Sequence, residues 1–189
     1  TSAQTAQLGD DFTVAEGTMN LVQAVYLNNA RAPFDNEKVR QAMSYAINRQ
    51  EIMDIMADGH GTAVGSSIYP KLTKYFLPEL VDYYSYAPAK GKELLAEAGY
   101  PDGIDEVFQV ITPAWNNNIK ILEIYQQNLK EIGINIEIAA MDNSAYNEAR
   151  NNGQFKIAWG NVVATYPDSD AMIYPTFHSS NIGAGGNFA

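Results

Sequence analysis

The residues that could do chemistry are few and scattered. The two histidines, His60 and His178, lie far apart, and neither sits in a metal-ligand spacing motif. With no cysteine in the chain, a thiolate site and a disulfide are both excluded. Two carboxylate clusters stand out, Asp102 with Asp105 and Glu106, and Asp168 with Asp170. Paired carboxylates do acid–base work only at a fixed separation across a cleft. Here each cluster falls in a turn or at a helix start, where acidic residues serve the local backbone. No serine stands in a Gly-x-Ser-x-Gly elbow. The run Gly183-Ala184-Gly185-Gly186 lacks the Lys-Ser/Thr that would complete a phosphate loop. The sequence therefore reads as no enzyme, with no cofactor and no metal. An acidic pair at Asp168 and Asp170 leaves a glycan-processing fragment as the alternative of another class.

Binding chemistry is better represented. Trp115 precedes Asn116, Asn117 and Asn118 in a loop after an expected strand, an aromatic-plus-amide group that would suit a neutral polar ligand. Asn143 and Asn161 are amides near element ends and could orient such a ligand. Trp159 can stack on a ligand or fill the core of its strand. Arg150 is either a cation for a ligand carboxylate or a solvated charge at the end of a short helix.

The elements that must position these groups follow from periodicity. Pro33 to Ile52 contains the clearest helix. Asp35 is the expected N-cap, and Phe34 and Val39 are spaced as a hydrophobic staple. Val39, Ala42, Met43, Ala46 and Ile47 form one apolar face. Arg49 to Ala57 continues as a second helix with Ile52, Ile55 and Met56 inward and Gly59 as its stop. Pro88 suits the first turn of the next helix and Gly99 its left-handed cap, with Gly91 as a weak point inside. Asn116 to Ile132 reads as a long helix, Asn143 or Ser144 caps a short one to Asn152, and Asp168 begins the last. Strands are expected at Met19–Asn28, Val107–Ile111, Ile134–Ile138 and Phe155–Ala164. Strands alternating with helices indicate an α/β domain, with a mixed sheet flanked by helices.

Composition sets limits. A chain of 189 residues with 46% hydrophobic and 11% aromatic content has enough length for one core. A net charge of −10 argues against nucleic acid and against an anionic membrane surface. No apolar run approaches the ~20 residues of a spanning helix, so no direct membrane insertion is expected.

Four stretches carry a family resemblance. Phe34-Asp35-Asn36-Glu37-Lys38-Val39-Arg40-Gln41-Ala42 with Tyr45-Ala46-Ile47-Asn48-Arg49 resembles the signature of the extracytoplasmic solute-binding proteins of peptide- and nickel-type ABC transporters. Ala89 to Tyr100, Gln126 to Glu137, and Tyr166-Pro167-Asp168 with Ser179-Ser180-Asn181 are similar to later segments of that family, in order. The resemblance implies a periplasmic-binding-protein-like lobe of the class II, cluster C type. It implies that only the second lobe, domain III, is present: a loosely ordered lead-in over residues 1–17, the lobe over 18–182, and a truncated return segment over 183–189. It further implies a peptide or other small polar solute as ligand, a missing first lobe, an ABC permease as partner, and an extracytoplasmic location. Oligosaccharides and metal chelates stay open as alternatives. In peptide-binding relatives, the position two before this proline holds an aspartate that captures the ligand's α-amino group; here it is Thr165. The frequent tryptophan three residues earlier is Val162. Arg150 falls where some relatives place a cation for the ligand's carboxylate.

Overall fold

The computed structural model describes residues 8, 12–15, 17, 21–57, 61–66, 70, 74–163 and 170–182, with the side chains of 170–172 excepted. Gly59, His60, Thr165, Tyr166, Pro167 and Asp168 lie outside the described residues, as does the glycine run.

Four strands form one mixed sheet: β1 (Leu21–Leu27), β2 (Ile104–Pro113), β3 (Ile134–Met141) and β4 (Ile157–Val163). The order is β1-β4-β2-β3, with β2 parallel to both β3 and β4 and β1 antiparallel to β4. The helices are α1 (Glu37–Ala46), α2 (Arg49–Ala57), α3 (Pro88–Glu97), α4 (Asn116–Glu131), α5 (Asn143–Asn151) and α6 (Asp170–Phe177).

The main core lies on one face of the sheet. Phe34, Val39, Ala42 and Met43 from α1 and its lead-in meet Leu94 and Leu95 of α3. The same cluster takes in Ile121, Leu122, Tyr125 and Leu129 of α4, and Phe108, Val110, Ile157 and Trp159 of the sheet. On the opposite face, Tyr146 of α5 packs on Ile111 and Ala158, while Val22 and Val162 form a smaller cluster with Val64 and Ile173. Residues two apart on a strand share a face, so Trp159 and Asn161 belong to the α4 side and Gly160 and Val162 to the α5 side.

Asn36, not Asp35, caps α1: its Oδ1 accepts from Lys38 N at 2.9 Å. The reason is the turn just before it. Asn36 N donates to Pro33 O and Phe34 N to Arg31 O, which delays the helix by one residue while Phe34 and Val39 stay buried. Asp142 likewise replaces Asn143 or Ser144 as the cap of α5, accepting from Ser144 N and Ala145 N at 2.9 and 3.0 Å. Only Ile52 and Met56 of α2 reach the core; Ile55 lies at the border of that face and is 60% exposed. Strand β2 is longer than the five residues expected, because it pairs with β3 from Ile104 to Pro113. Gly91 is buried where α3 crosses α1: a Cβ there would lie 3.1 Å from Ala42 O and 3.2 Å from Ile132 Cγ2. Its helix penalty of roughly 0.5–1 kcal/mol is therefore exchanged for a close approach of two helices.

Candidate ligand-binding site

Helix α4 leads from β2 to β3 on one face, and α5 returns from β3 to β4 on the other, passing over β2. The chain thus leaves the carboxyl ends of the neighbouring strands β2 and β3 toward opposite faces. In open α/β sheets such a point leaves a crevice outside the carboxyl ends of the strands, where ligands bind.

The sheet also opens between β2 and β4, for a specific chemical reason. Asn28 N donates to Lys156 O at 3.0 Å, so even-numbered residues of β4 turn their main-chain groups to β1 and odd-numbered ones to β2. The β2–β4 register is Val110↔Ile157 and Ile111↔Ala158 and goes no further. The next donor β2 could offer, to Trp159 O, is the nitrogen of Pro113, which has no hydrogen. Beyond it the chain leaves β4: Ala114 N donates to Met141 O on β3 at 2.9 Å.

Two tyrosines meet the carbonyls that β2 abandons. Tyr146 Oη donates to Trp159 O at 2.8 Å, and Tyr26 Oη donates to Asn161 O at 3.0 Å. Both rings lie over Gly160, where a Cβ would come within 2.7 Å of Tyr146 Oη and 2.9 Å of Tyr26 Cε2. The Arg150 guanidinium stands 5.7 Å from the Tyr146 ring centre. Burial pushes the Tyr26 hydroxyl up to about 12, against the opposing pull of Arg150, and raises Tyr146 as well. Both phenols are therefore protonated donors at neutral pH.

The seven residues singled out from sequence separate into groups. Trp115 follows β2 at the N-cap of α4 and is 50% exposed. Asn143 follows β3 as the first residue of α5 and is exposed. These two line the carboxyl edge. Trp159 is in the main core and Val162 in the smaller cluster. Arg150 lies two turns down α5 from Asn143, against Tyr146. Asn161 is half-buried on β4 beside the opening. Thr165 lies outside the described residues. Among the described residues, Arg150 Nε, Trp159 Nε1 and Asn161 Oδ1 are buried side-chain atoms without a hydrogen-bond partner. Buried polar atoms are normally paired; Trp159 and Asn161 stand on β4, and Arg150 stands on α5 beside Tyr146.

Sequence reasoning missed Tyr26, Tyr146, Pro113 and Gly160. Two of them had a visible signal: a proline closing an apolar strand run, and a glycine inside one. A concavity of about 540 Å³ sits at the opposite, amino edge between Pro33, Tyr100, Asp105 and Lys156. It is open, and its Lys156 is paired with Glu106 at 2.6 Å; none of the unpaired buried atoms lies there.

Comparison with known proteins decides the family. Residues 1–184 match the model of the bacterial extracellular solute-binding proteins, family 5 middle region. This chain belongs to that family. It is 32% identical over 165 residues to heme-binding protein A of Haemophilus influenzae, covering 86% of this chain and 30% of that protein. It is 33% identical over 170 residues to the glutathione-binding protein GsiB of Salmonella typhimurium, covering 83% of this chain and 31% of that protein. Among solved structures, the periplasmic binding protein DppA of Helicobacter pylori in complex with the peptide STSA superposes with a TM-score of 0.82 at 25% identity, over 97% of this chain and 35% of that one. A Pseudoalteromonas dipeptide-binding protein in complex with Met-Leu gives 0.82 at 27%, over 98% and 37%. The family 5 chain therefore spans about a third of the length of its relatives. Those relatives are binding proteins rather than enzymes. No helix among the described residues is long and apolar enough to cross a membrane.

Proposed function

We propose that this chain is one lobe of a two-lobed solute-binding protein. The complete protein would take a peptide or similar small polar solute between its lobes and hand it to an ABC permease. Ligand contacts to both lobes would favour the closed state, and the closed form would be what the permease meets. The observation that carries this reading is the main-chain edge of β4 left open between β2 and β4. An extended peptide can satisfy such an edge by main-chain hydrogen bonds, with side chains read by neighbouring pockets. Trp115 and Asn143 at the same edge suit the flanks of that ligand.

Thr165 bears on which peptide. A hydroxyl can accept from an ammonium but does not neutralise it, and an unneutralised charge in a closed cleft is costly. If this lobe supplies the capture of the α-amino group, ligands with a blocked or neutral amino end should be tolerated.

The test is a thermal-shift screen of the complete protein against di- to pentapeptides, oligosaccharides and metal chelates, since a ligand at 100 times its Kd stabilises by about 2.7 kcal/mol. Stabilisation by peptides supports the reading; stabilisation only by sugars or chelates overturns it. The 189-residue lobe alone should bind any of these weakly, because half the contacts are missing. Micromolar binding to the isolated lobe in calorimetry would refute the two-lobe arrangement.

A further inference from the structure

We infer that the side chains of Trp159 and Asn161 hold a resident water molecule on the α4 side of β4, beside the opening between β2 and β4. The site is built by this chain alone and does not depend on which solute the complete protein takes.

The two side chains present a matched pair of atoms. Trp159 Nε1 and Asn161 Oδ1 are both buried without a hydrogen-bond partner, and Trp159 is only 6% exposed. A buried polar atom in that condition has lost its hydration and gained nothing in return. Residues two apart on a strand share a face, so the two side chains are neighbours, with Cα atoms roughly 6.6–6.8 Å apart. Two hydrogen bonds of ~2.9 Å to one shared oxygen span nearly that distance. The atoms are also complementary. An indole N–H can only donate, and an amide oxygen can only accept. Water accepts from the first and donates to the second.

A third polar group stands beside them. The register Ile111↔Ala158 sets Thr112 next to Trp159, and Thr112 shares the face of Val110, which lies in the main core. Thr112 and Asn118 are buried. Asn118 Nδ2 donates to Thr112 Oγ1 at 3.3 Å, and that hydroxyl donates to Pro113 O at 3.3 Å. A hydroxyl oxygen has two lone pairs, so Thr112 keeps one for the second hydrogen of the water. A buried water commonly makes about three hydrogen bonds, and Trp159, Asn161 and Thr112 supply three. Other occupants fit worse. A cation finds no ligand in an indole N–H, an anion is opposed by the amide oxygen, and an apolar group leaves both atoms unpaired.

A crystal structure of the complete protein, grown without added solute and at a resolution that shows ordered water, tests this. One water should lie within about 3.2 Å of both Trp159 Nε1 and Asn161 Oδ1. A direct hydrogen bond between the two side chains overturns the proposal. So does a pair of atoms with no oxygen between them, or an oxygen that belongs to a co-purified solute. Urea denaturation supplies a check in solution. Trp159→Phe removes the donor and keeps an aromatic ring, and Asn161→Leu removes the acceptor. Either change strands the water's remaining partner, whereas the double variant needs no water. The double variant should therefore lose less in urea midpoint than the two single losses together. Additive losses overturn the proposal, and the crystal structure of the parent protein decides it even where a variant fails to fold.

Discussion

The hydroxyl of Tyr146 donates to the main-chain oxygen of Trp159 at 2.8 Å, across the back of Gly160. A helix thereby completes a hydrogen bond that a neighbouring strand, ending in proline, does not make. Because the bond is buried and local to one glycine, it is open to direct test.

Gly160→Ala is the sharpest test of stability. The new methyl would sit 2.7 Å from Tyr146 Oη and 2.9 Å from Tyr26 Cε2. Overpacking of this kind costs about 1–3 kcal/mol, which outweighs the fraction of a kcal/mol gained by removing glycine from a strand. Urea denaturation should show the midpoint fall at unchanged slope. Combining it with Tyr146→Phe should cost less than the sum of the two, because both changes act on one contact.

Alkaline stability follows from the same tyrosines. The Tyr26 hydroxyl is raised from 10.0 to about 12 in the fold. The unfolded chain therefore ionises first. Stability is fully present below pH 10 and falls as pH climbs from 10 to about 12, with a slope of up to about 1.4 kcal/mol per pH unit for each such tyrosine. Tyr146 and the fully buried Tyr125 shift in the same direction and steepen the fall. Denaturation midpoints measured through that range should decline, and Tyr26→Phe should decline less steeply. A flat profile in the parent protein would contradict the burial of these hydroxyls.

Trp115→Ala separates binding from folding. Its indole is half exposed at the carboxyl edge of β2 and makes no side-chain cap to α4. Its removal should leave the urea midpoint within about 0.5 kcal/mol of the parent, as for most surface changes. Affinity of the complete protein for its ligand, measured by calorimetry, should drop by about 10-fold, as for an aromatic anchor. An unchanged affinity would remove Trp115 from the site.

Gly91 gives a graded series. A methyl at Gly91 would be tight at 3.1 and 3.2 Å, but alanine recovers about 0.5–1 kcal/mol of helix propensity. Gly91→Ala should be close to neutral. Gly91→Val has no such offset and must push α1 and α3 apart, at a cost of about 1–3 kcal/mol or more. Thermal midpoints of the two variants should differ clearly.

Legibility in the sequence tracked the range of the interaction. Elements set by local pattern were readable: α1, α4 and β3 stand where periodicity places them, and Pro88 and Gly99 punctuate α3 as expected. Cap identity was off by one at Asn36 because a turn of main-chain bonds, invisible to composition, shifted the helix start. Ile55 was misassigned because a short helix rests on the core through only two residues. Trp115 and Asn143 stand at the carboxyl edge, where residues that follow strands lie in any such fold. The tyrosine pair was not found, since Tyr26 and its acceptor are 135 residues apart and only the antiparallel return of β1 unites them.

That separation also sets an order of events during synthesis. Strand β1 is made before its partner β4, which emerges from the ribosome some 135 residues later, on the order of ten seconds at ~5–20 residues per second. Until then Leu21, Val22, Val25 and Leu27 form an apolar strand with no neighbour, a segment for chaperones to shield or for another chain to capture. The unit β2–α4–β3 is contiguous and can form meanwhile. The arrival of β4 is thus the moment at which the nascent chain closes its sheet, and slowing translation just before Ile157 should lengthen the window in which it is most prone to aggregate.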